Sequence, residues 1–279
     1  MDVHEGWLNG IEMGVGAWAW GDRWFWGFGS NYQEKDVQEA FEASKNAGIR
    51  FIDTAETYAQ GESERLVGKF IHQSTEQFFV ATKFMPFPWR LGKGVLKRSL
   101  KNSLERLGLS KVQLYQMHWP IPPIPIEKWM NRMAEVHQAG LVDAICVLNY
   151  DQTQTQRALE ELTRLGVRLA TNQVEYHLLD RRIEKNGLLK QCQGLGIRVI
   201  AYSPLAQGLL TGKYSALVPP RGVRGAKITK SKLEKLHKLM IQMRKIGAMH
   251  GDRTPAQVAL NWVICKGALP IPGAKNQAQ

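Results

Sequence analysis

The sequence predicts an α/β protein folded as a (β/α) barrel of the TIM type, and three observations carry that prediction. Helical segments alternate with short, β-branched apolar runs; most helices give way at a glycine; and most apolar runs end in a polar residue. Alternating strands and helices form parallel βαβ units, whose right-handed crossovers lead to an open doubly wound sheet or a closed barrel. No GxGxxG follows the first run, which counts against an open dinucleotide-binding sheet. Polar residues at run ends would gather on one face in a barrel, where active sites are built. The 279 residues are close to the ~250 of one such barrel.

Taken in order, the run 49–52 follows Gly48 and ends at Asp53, and the run 78–82 ends at Lys83. Beyond Gly108, residues 112–117 end at His118; beyond Gly140, residues 141–148 end at Asn149; beyond Gly166, residues 167–172 end at Gln173. Gly196 opens 197–201, which end at Tyr202 and Ser203, and Gly267 opens 268–272. Each glycine stands where a helix should stop, because it takes up a left-handed backbone without steric penalty. The clearest helices between the runs are 36–47, 63–72, 93–107, 126–139, 152–165 and 254–266. The last opens on Thr254-Pro255-Ala256-Gln257, a capping box with proline at the first helical position. Seven runs predict seven strands. Seven strands leave an open barrel with two unpaired edges, and residues 1–279 are read as one such domain.

Composition agrees with a single globular core. Hydrophobic residues make up 44% and charged residues 22%, with no low-complexity tract to divide the chain. Cys146, Cys192 and Cys265 are odd in number and far apart, which suggests neither a disulfide framework nor a metal site and fits a reducing cytoplasm. Residues 1–6 do not open like a secretion signal, and no apolar run is long enough to span a membrane. The formal charge is +12, much of it between Lys213 and Arg253. There Arg221, Arg224, Lys227, Lys230, Lys232, Lys235, Lys238, Arg244 and Lys245 are opposed only by Glu234 and Asp252. A solvated helix face is the first explanation and a nucleotide phosphate the second; no zinc-finger or RNP-type motif supports nucleic acid.

Four polar residues form the expected reaction centre: Asp53, Tyr58, Lys83 and His118. A tyrosine is a poor acid at neutral pH, and a neighbouring ammonium favours its phenolate and lowers its pKa, a part suited to Lys83. Asp53 can hold that lysine charged, and His118 can hydrogen-bond a substrate oxygen. Beside a hydride donor, these four suffice to reduce a carbonyl. Phe51-Ile52-Asp53-Thr54-Ala55-Glu56-Thr57-Tyr58, Ala81-Thr82-Lys83 and Leu114-Tyr115-Gln116-Met117-His118-Trp119-Pro120 resemble, in order and spacing, the catalytic signatures of the aldo-keto reductase superfamily, most closely its plant and cyanobacterial members.

The resemblance implies an NADPH-dependent oxidoreductase acting on a small aldehyde or ketone, with Tyr58 as proton donor and no metal. It implies that Asn149 and Gln173 hold the nicotinamide carboxamide, that Tyr202 stacks on its ring, and that Ser203, Leu205 and Gly208 lie along the pyrophosphate. It places Lys275 and Asn276 near the adenosine 2′-phosphate and Gly16 in the first cofactor loop. Nine tryptophans, among them Trp18, Trp20, Trp24, Trp26, Trp89 and Trp119 in segments expected at the barrel mouth, suggest an aromatic-walled pocket. Where the family has Gly-Val-Ser-Asn, this chain has Cys146-Val147-Leu148-Asn149, so one hydroxyl contact to the carboxamide is lost. The chain also ends soon after its seventh run, where the family would continue with an eighth strand and a closing helix, so the resemblance implies a barrel lacking both, incomplete at its carboxyl end. These two departures keep open a second function, a weak or inactive nucleotide-binding regulatory protein. Neither a nucleic-acid partner nor a membrane is expected, and the oligomeric state is not readable.

Overall fold

The structure, a computed structural model, describes residues 8, 10–215, 218–220 and 229–279. The chain's first six residues, and Arg221, Arg224 and Lys227 of the basic run, lie outside the described residues. The strands are β1 (Gly14–Gly16), β2 (Phe51–Asp53), β3 (Phe79–Phe84), β4 (Val112–Met117), β5 (Val142–Leu148), β6 (Leu169–Glu175), β7 (Arg198–Tyr202) and β8 (Leu269–Ile271). Between them lie helices α1 (Glu34–Asn46), α2 (Glu62–His72), α3 (Val95–Leu107), α4 (Ile126–Gln138), α5 (Gln152–Arg164), α6 (Arg182–Lys185), α7 (Leu188–Gly194), α8 (Lys230–Met249) and α9 (Pro255–Cys265). The eight strands pair in sequence order, each neighbour parallel to the next.

This corrects the expected seven-stranded, open-edged barrel. The strand that the sequence concealed is not at the carboxyl end: it is β1, three residues of which two are glycine, a composition poor in intrinsic strand preference. Its glycines are required by close approach. A Cβ on Gly14 would collide with the Phe51 ring, and one on Gly16 would stand 3.0 Å from the Ile271 carbonyl oxygen. The seam between β1 and β8 is joined by a hydrogen bond from the Gly16 N–H to the Pro272 carbonyl, 2.9 Å. The Trp20 indole N–H reinforces it by donating to the Ala274 carbonyl at 2.9 Å.

Side-chain alternation divides the core into two layers. Outward residues such as Ile52, Val80, Tyr115, Ile145 and Val199 pack against the helices. Inward residues Phe51, Ala81, Leu114, Ala144, Ile200, Leu269 and Ile271 fill the barrel. Fully burying side chains of this kind contributes ~1.5–3 kcal/mol for each large one. The predicted capping box of α9 is formed, with the Gln257 N–H on the Thr254 hydroxyl at 3.3 Å and the Thr254 N–H on the Gln257 side chain at 2.9 Å. Helix stops behave as expected, for example Gly108 with φ of 67°.

The basic run contains a helix that periodicity alone did not reveal. α8 buries Leu233, Leu236, Met240 and Met243 against Leu210 and Ala259, while Lys232, Lys235, Lys238, Arg244 and Lys245 are exposed. Among the described residues, no helix is long and apolar enough to cross a membrane.

Candidate active site

Parity along the strands brings the predicted residues together. On β2 an inward Phe51 is followed two positions later by Asp53; on β3 Ala81 is followed by Lys83; on β4 Leu114 is followed by Gln116 and then His118. Each strand is thus apolar at its start and polar at its carboxyl end.

Lys83 is fully buried, and its ammonium is ion-paired with Asp53. It also donates to the Thr54 carbonyl at 2.8 Å and to the Tyr58 hydroxyl at 3.2 Å. Burial alone would lower the lysine's pKa, but the Asp53 carboxylate and Tyr58 outweigh it and the net direction is upward, so Lys83 stays charged. The expected lowering of the Tyr58 pKa is not what the surroundings produce. Burial raises it, the Lys83 ammonium pulls it down, the Asp53 charge raises it again, and the net direction is up. Removing solvent from a phenolate costs more here than one already paired ammonium returns. Tyr58 therefore keeps its proton at neutral pH. The His118 ring lies edge-on to Tyr58, with centroids 5.9 Å apart, and its Nδ1 has no hydrogen-bond partner. Burial and then Lys83 depress its pKa to about 3, so the imidazole is neutral.

The same network reaches the residues expected to hold a nicotinamide. Asp53 Oδ2 accepts from Gln116 Nε2 at 2.6 Å and from Gln173 Nε2 at 2.9 Å. The Asn149 N–H donates to the Gln173 carbonyl at 2.9 Å, and Asn149 Oδ1 accepts from the Tyr202 hydroxyl at 3.2 Å. Asn149 is held at φ of 59°, a left-handed conformation that asparagine tolerates better than most residues. A primary carboxamide carries one acceptor oxygen and one donor NH2. Opposite it this site offers a buried, unpartnered Asn149 Nδ2 as donor and, since both Gln173 N–H groups are turned inward, Gln173 Oε1 as acceptor. The residues present therefore fit a nicotinamide carboxamide. Leu148 is buried at the end of β5, in register with Gln173, and adds no polar contact.

The other predicted residues sit on loops at this end. Gly16 lies at the β1–β8 seam. Ser203, Leu205 and Gly208 follow β7, with Ser203 and Gly208 at positive φ. Lys275 and Asn276 follow β8; the Lys275 ammonium lies 4.9 Å from the Trp26 ring centroid and 5.1 Å from that of Tyr32, and Asn276 Oδ1 accepts from the Gln279 N–H at 3.2 Å. The tryptophans divide. Trp18 is 6.3 Å from Tyr58, stacked on Phe25 at 5.1 Å and edge-on to Trp26 at 5.4 Å. Trp20 is instead wholly buried against Phe70, whereas Trp24 is 96% exposed.

Two groups escaped the sequence reading. Gln116 stands inside the run that ends at His118, on its inward parity, and a polar residue there was the available signal. Glu56 braces the Tyr58 loop by pairing with Arg90 and accepting from the Met85 N–H at 2.8 Å; no local pattern marks that long-range pair.

Residues 12–279 match the family described as the Aldo/keto reductase family. Over 287 aligned residues the chain is 37% identical to the chloroplastic pyridoxal reductase of Arabidopsis thaliana, covering 98% of this chain and 78% of that protein. Among solved structures, a glycerol dehydrogenase from Gluconobacter oxydans superposes with a TM-score of 0.83 at 27% identity, covering 96% of this chain and 83% of that one. An aldo-keto reductase from Klebsiella pneumoniae in complex with NADPH superposes with a TM-score of 0.73 at 29% identity, covering 96% and 82%.

Proposed function

The chain belongs to the aldo/keto reductase family, and from that membership we propose that it is an NADPH-dependent oxidoreductase reducing a small aldehyde or ketone, residues 12–279 acting as one catalytic barrel. The observation that carries the reading is the Lys83 ammonium held between Asp53 and the Tyr58 hydroxyl. When bound, NADPH supplies the hydride that reduces the carbonyl carbon. Tyr58, protonated at neutral pH, gives its proton to the carbonyl oxygen, and the phenolate left behind is met by Lys83. Asp53 keeps Lys83 charged and in place. His118, neutral, hydrogen-bonds the same oxygen and orients the carbonyl.

Asn149 Nδ2 and Gln173 Oε1 would hold the carboxamide, and Tyr202 would lie against the nicotinamide ring. Ser203, Leu205 and Gly208 would lie along the pyrophosphate and Gly16 in the first cofactor loop, while Lys275 and Asn276 would approach the adenosine 2′-phosphate. Trp18, Phe25 and Trp26 form an aromatic wall beside Tyr58, which suits a flat ring-bearing aldehyde. The name of the Arabidopsis relative makes pyridoxal the first to try.

The test is cofactor oxidation, followed by absorbance, with NADPH or NADH and a panel of pyridoxal, benzaldehyde and short aliphatic aldehydes. Turnover should require an aldehyde and favour NADPH by about tenfold, equivalent to ~1.4 kcal/mol. Tight NADPH binding with no turnover on any carbonyl would move the reading to a regulatory nucleotide-binding protein.

A further inference from the structure

One buried amide joins the two halves of this site. Gln116 lies inside the barrel on β4, fully buried, between Asp53 and Gln173. Its Nε2 donates to Asp53 Oδ2 at 2.6 Å, and its Oε1 accepts from Gln173 Nε2 at 3.0 Å. The Cys146 Sγ stands 3.1 Å from the same oxygen.

The chemistry of these partners fixes which way each amide faces. A carboxylate oxygen only accepts, so the atom of Gln116 against Asp53 is nitrogen and its other end is oxygen. The Gln173 atom shared by Asp53 and Gln116 Oε1 must likewise be nitrogen, with its two N–H groups directed at two acceptors. Gln173 is then left with Oε1 as its acceptor. Without Gln116, Gln173 keeps one anchor instead of two, and Asp53 loses a donor on the oxygen that Lys83 does not hold.

We propose that Gln116 is a positioning residue that couples the proton-donor group to the carboxamide-holding pair, setting the orientation of Gln173 and bracing Asp53 in one arrangement. The inference rests on the function proposed above and extends it to a side chain that touches neither substrate nor cofactor. It makes NADPH affinity and proton delivery depend on one amide.

Two variants test it, each compared with the unaltered chain by NADPH fluorescence titration, thermal melting and steady-state reduction of an aldehyde. Gln116→Met keeps the volume and removes both hydrogen bonds. Its Kd for NADPH should rise about tenfold and its kcat fall about tenfold, the scale of a lost hydrogen bond to a charged group. Gln116→Glu restores the geometry only when the new carboxyl is protonated, since its O–H can then donate to Asp53 while its carbonyl accepts from Gln173. A carboxyl buried beside another carboxylate titrates above the usual range. The ratio of variant to wild-type kcat/KM should therefore fall as pH rises, and NADPH affinity should fall with it.

A lower melting temperature with wild-type Kd and kcat in Gln116→Met, or a pH-independent ratio in Gln116→Glu, overturns the proposal and reduces Gln116 to a packing residue. Should Gln116→Met not fold, the Gln116→Glu pH series decides alone. Failure of the unaltered chain to reduce any carbonyl is a different result: it sinks the proposed activity, while the two NADPH titrations still read the coupling to Gln173.

Discussion

The floor and the mouth of the barrel are made by the same strands, a few residues apart, yet they obey opposite rules. At the floor, Phe51, Ala81, Leu114, Ala144 and Leu269 meet as an apolar plug. At the mouth, Asp53, Lys83, Gln116 and Gln173 are as deeply buried but polar, linked to one another by hydrogen bonds. The floor gains from burial in proportion to area and tolerates any close-packed apolar set. The mouth holds together only where its charges are paired, because an unpaired buried charge costs several kcal/mol. A change at the floor should therefore be read in stability, and a change at the mouth in chemistry.

The sharpest break in that contrast is Tyr58→Phe. It removes one oxygen at the outer edge of the network and should cost about 10³-fold or more in kcat, within the range for a lost general acid. NADPH affinity and melting temperature should stay nearly unchanged, and turnover at the wild-type rate would remove Tyr58 from its role. Leu114→Ala is the reciprocal experiment on the floor, directly below Gln116 on β4. Denaturant unfolding should show a loss of ~2–5 kcal/mol for the cavity and the lost transfer energy, while kcat per folded molecule holds; a kinetic defect as large as the stability defect would mean that floor and mouth are not separable.

The smallest effect is expected at their border. Leu148 is an apolar side chain at mouth level, and Leu148→Ser should tighten NADPH binding by up to ~1 kcal/mol through one new hydrogen bond, measured by fluorescence titration. Unchanged affinity would show that Asn149 and Gln173 already satisfy the carboxamide.

That same division explains what could be read from the sequence. Runs such as 112–117 and 141–148 declare themselves as strands because apolar residues dominate both faces, and the polar residues that end them stand out by contrast. Asp53, Lys83 and His118 were visible in this way. β1 was not, since Gly14 and Gly16 were chosen for close approach across the seam and carry no apolar signal. The partners that set each pKa were equally hidden: the ammonium beside Tyr58 was legible, but the burial that outweighs it is a property of the closed barrel. Gln116 was quoted only as part of a motif, because its role depends on Asp53 and Gln173, which approach it from other strands.

The seam has a consequence in time. Trp20 and Ala274, which close it, are 254 positions apart, and at the ~5–20 residues per second of synthesis they are made roughly 13–50 s apart. Through that interval the short, glycine-rich β1 has β2 on one side and nothing on the other. Contacts of such long sequence separation form slowly and late. Gly16 and Lys275, both proposed to border the cofactor, flank that junction, so a nascent chain would assemble Asp53, Lys83 and His118 well before it gained a complete nucleotide cradle. Activity would be the last property the molecule acquires, and the first to go if the seam opens.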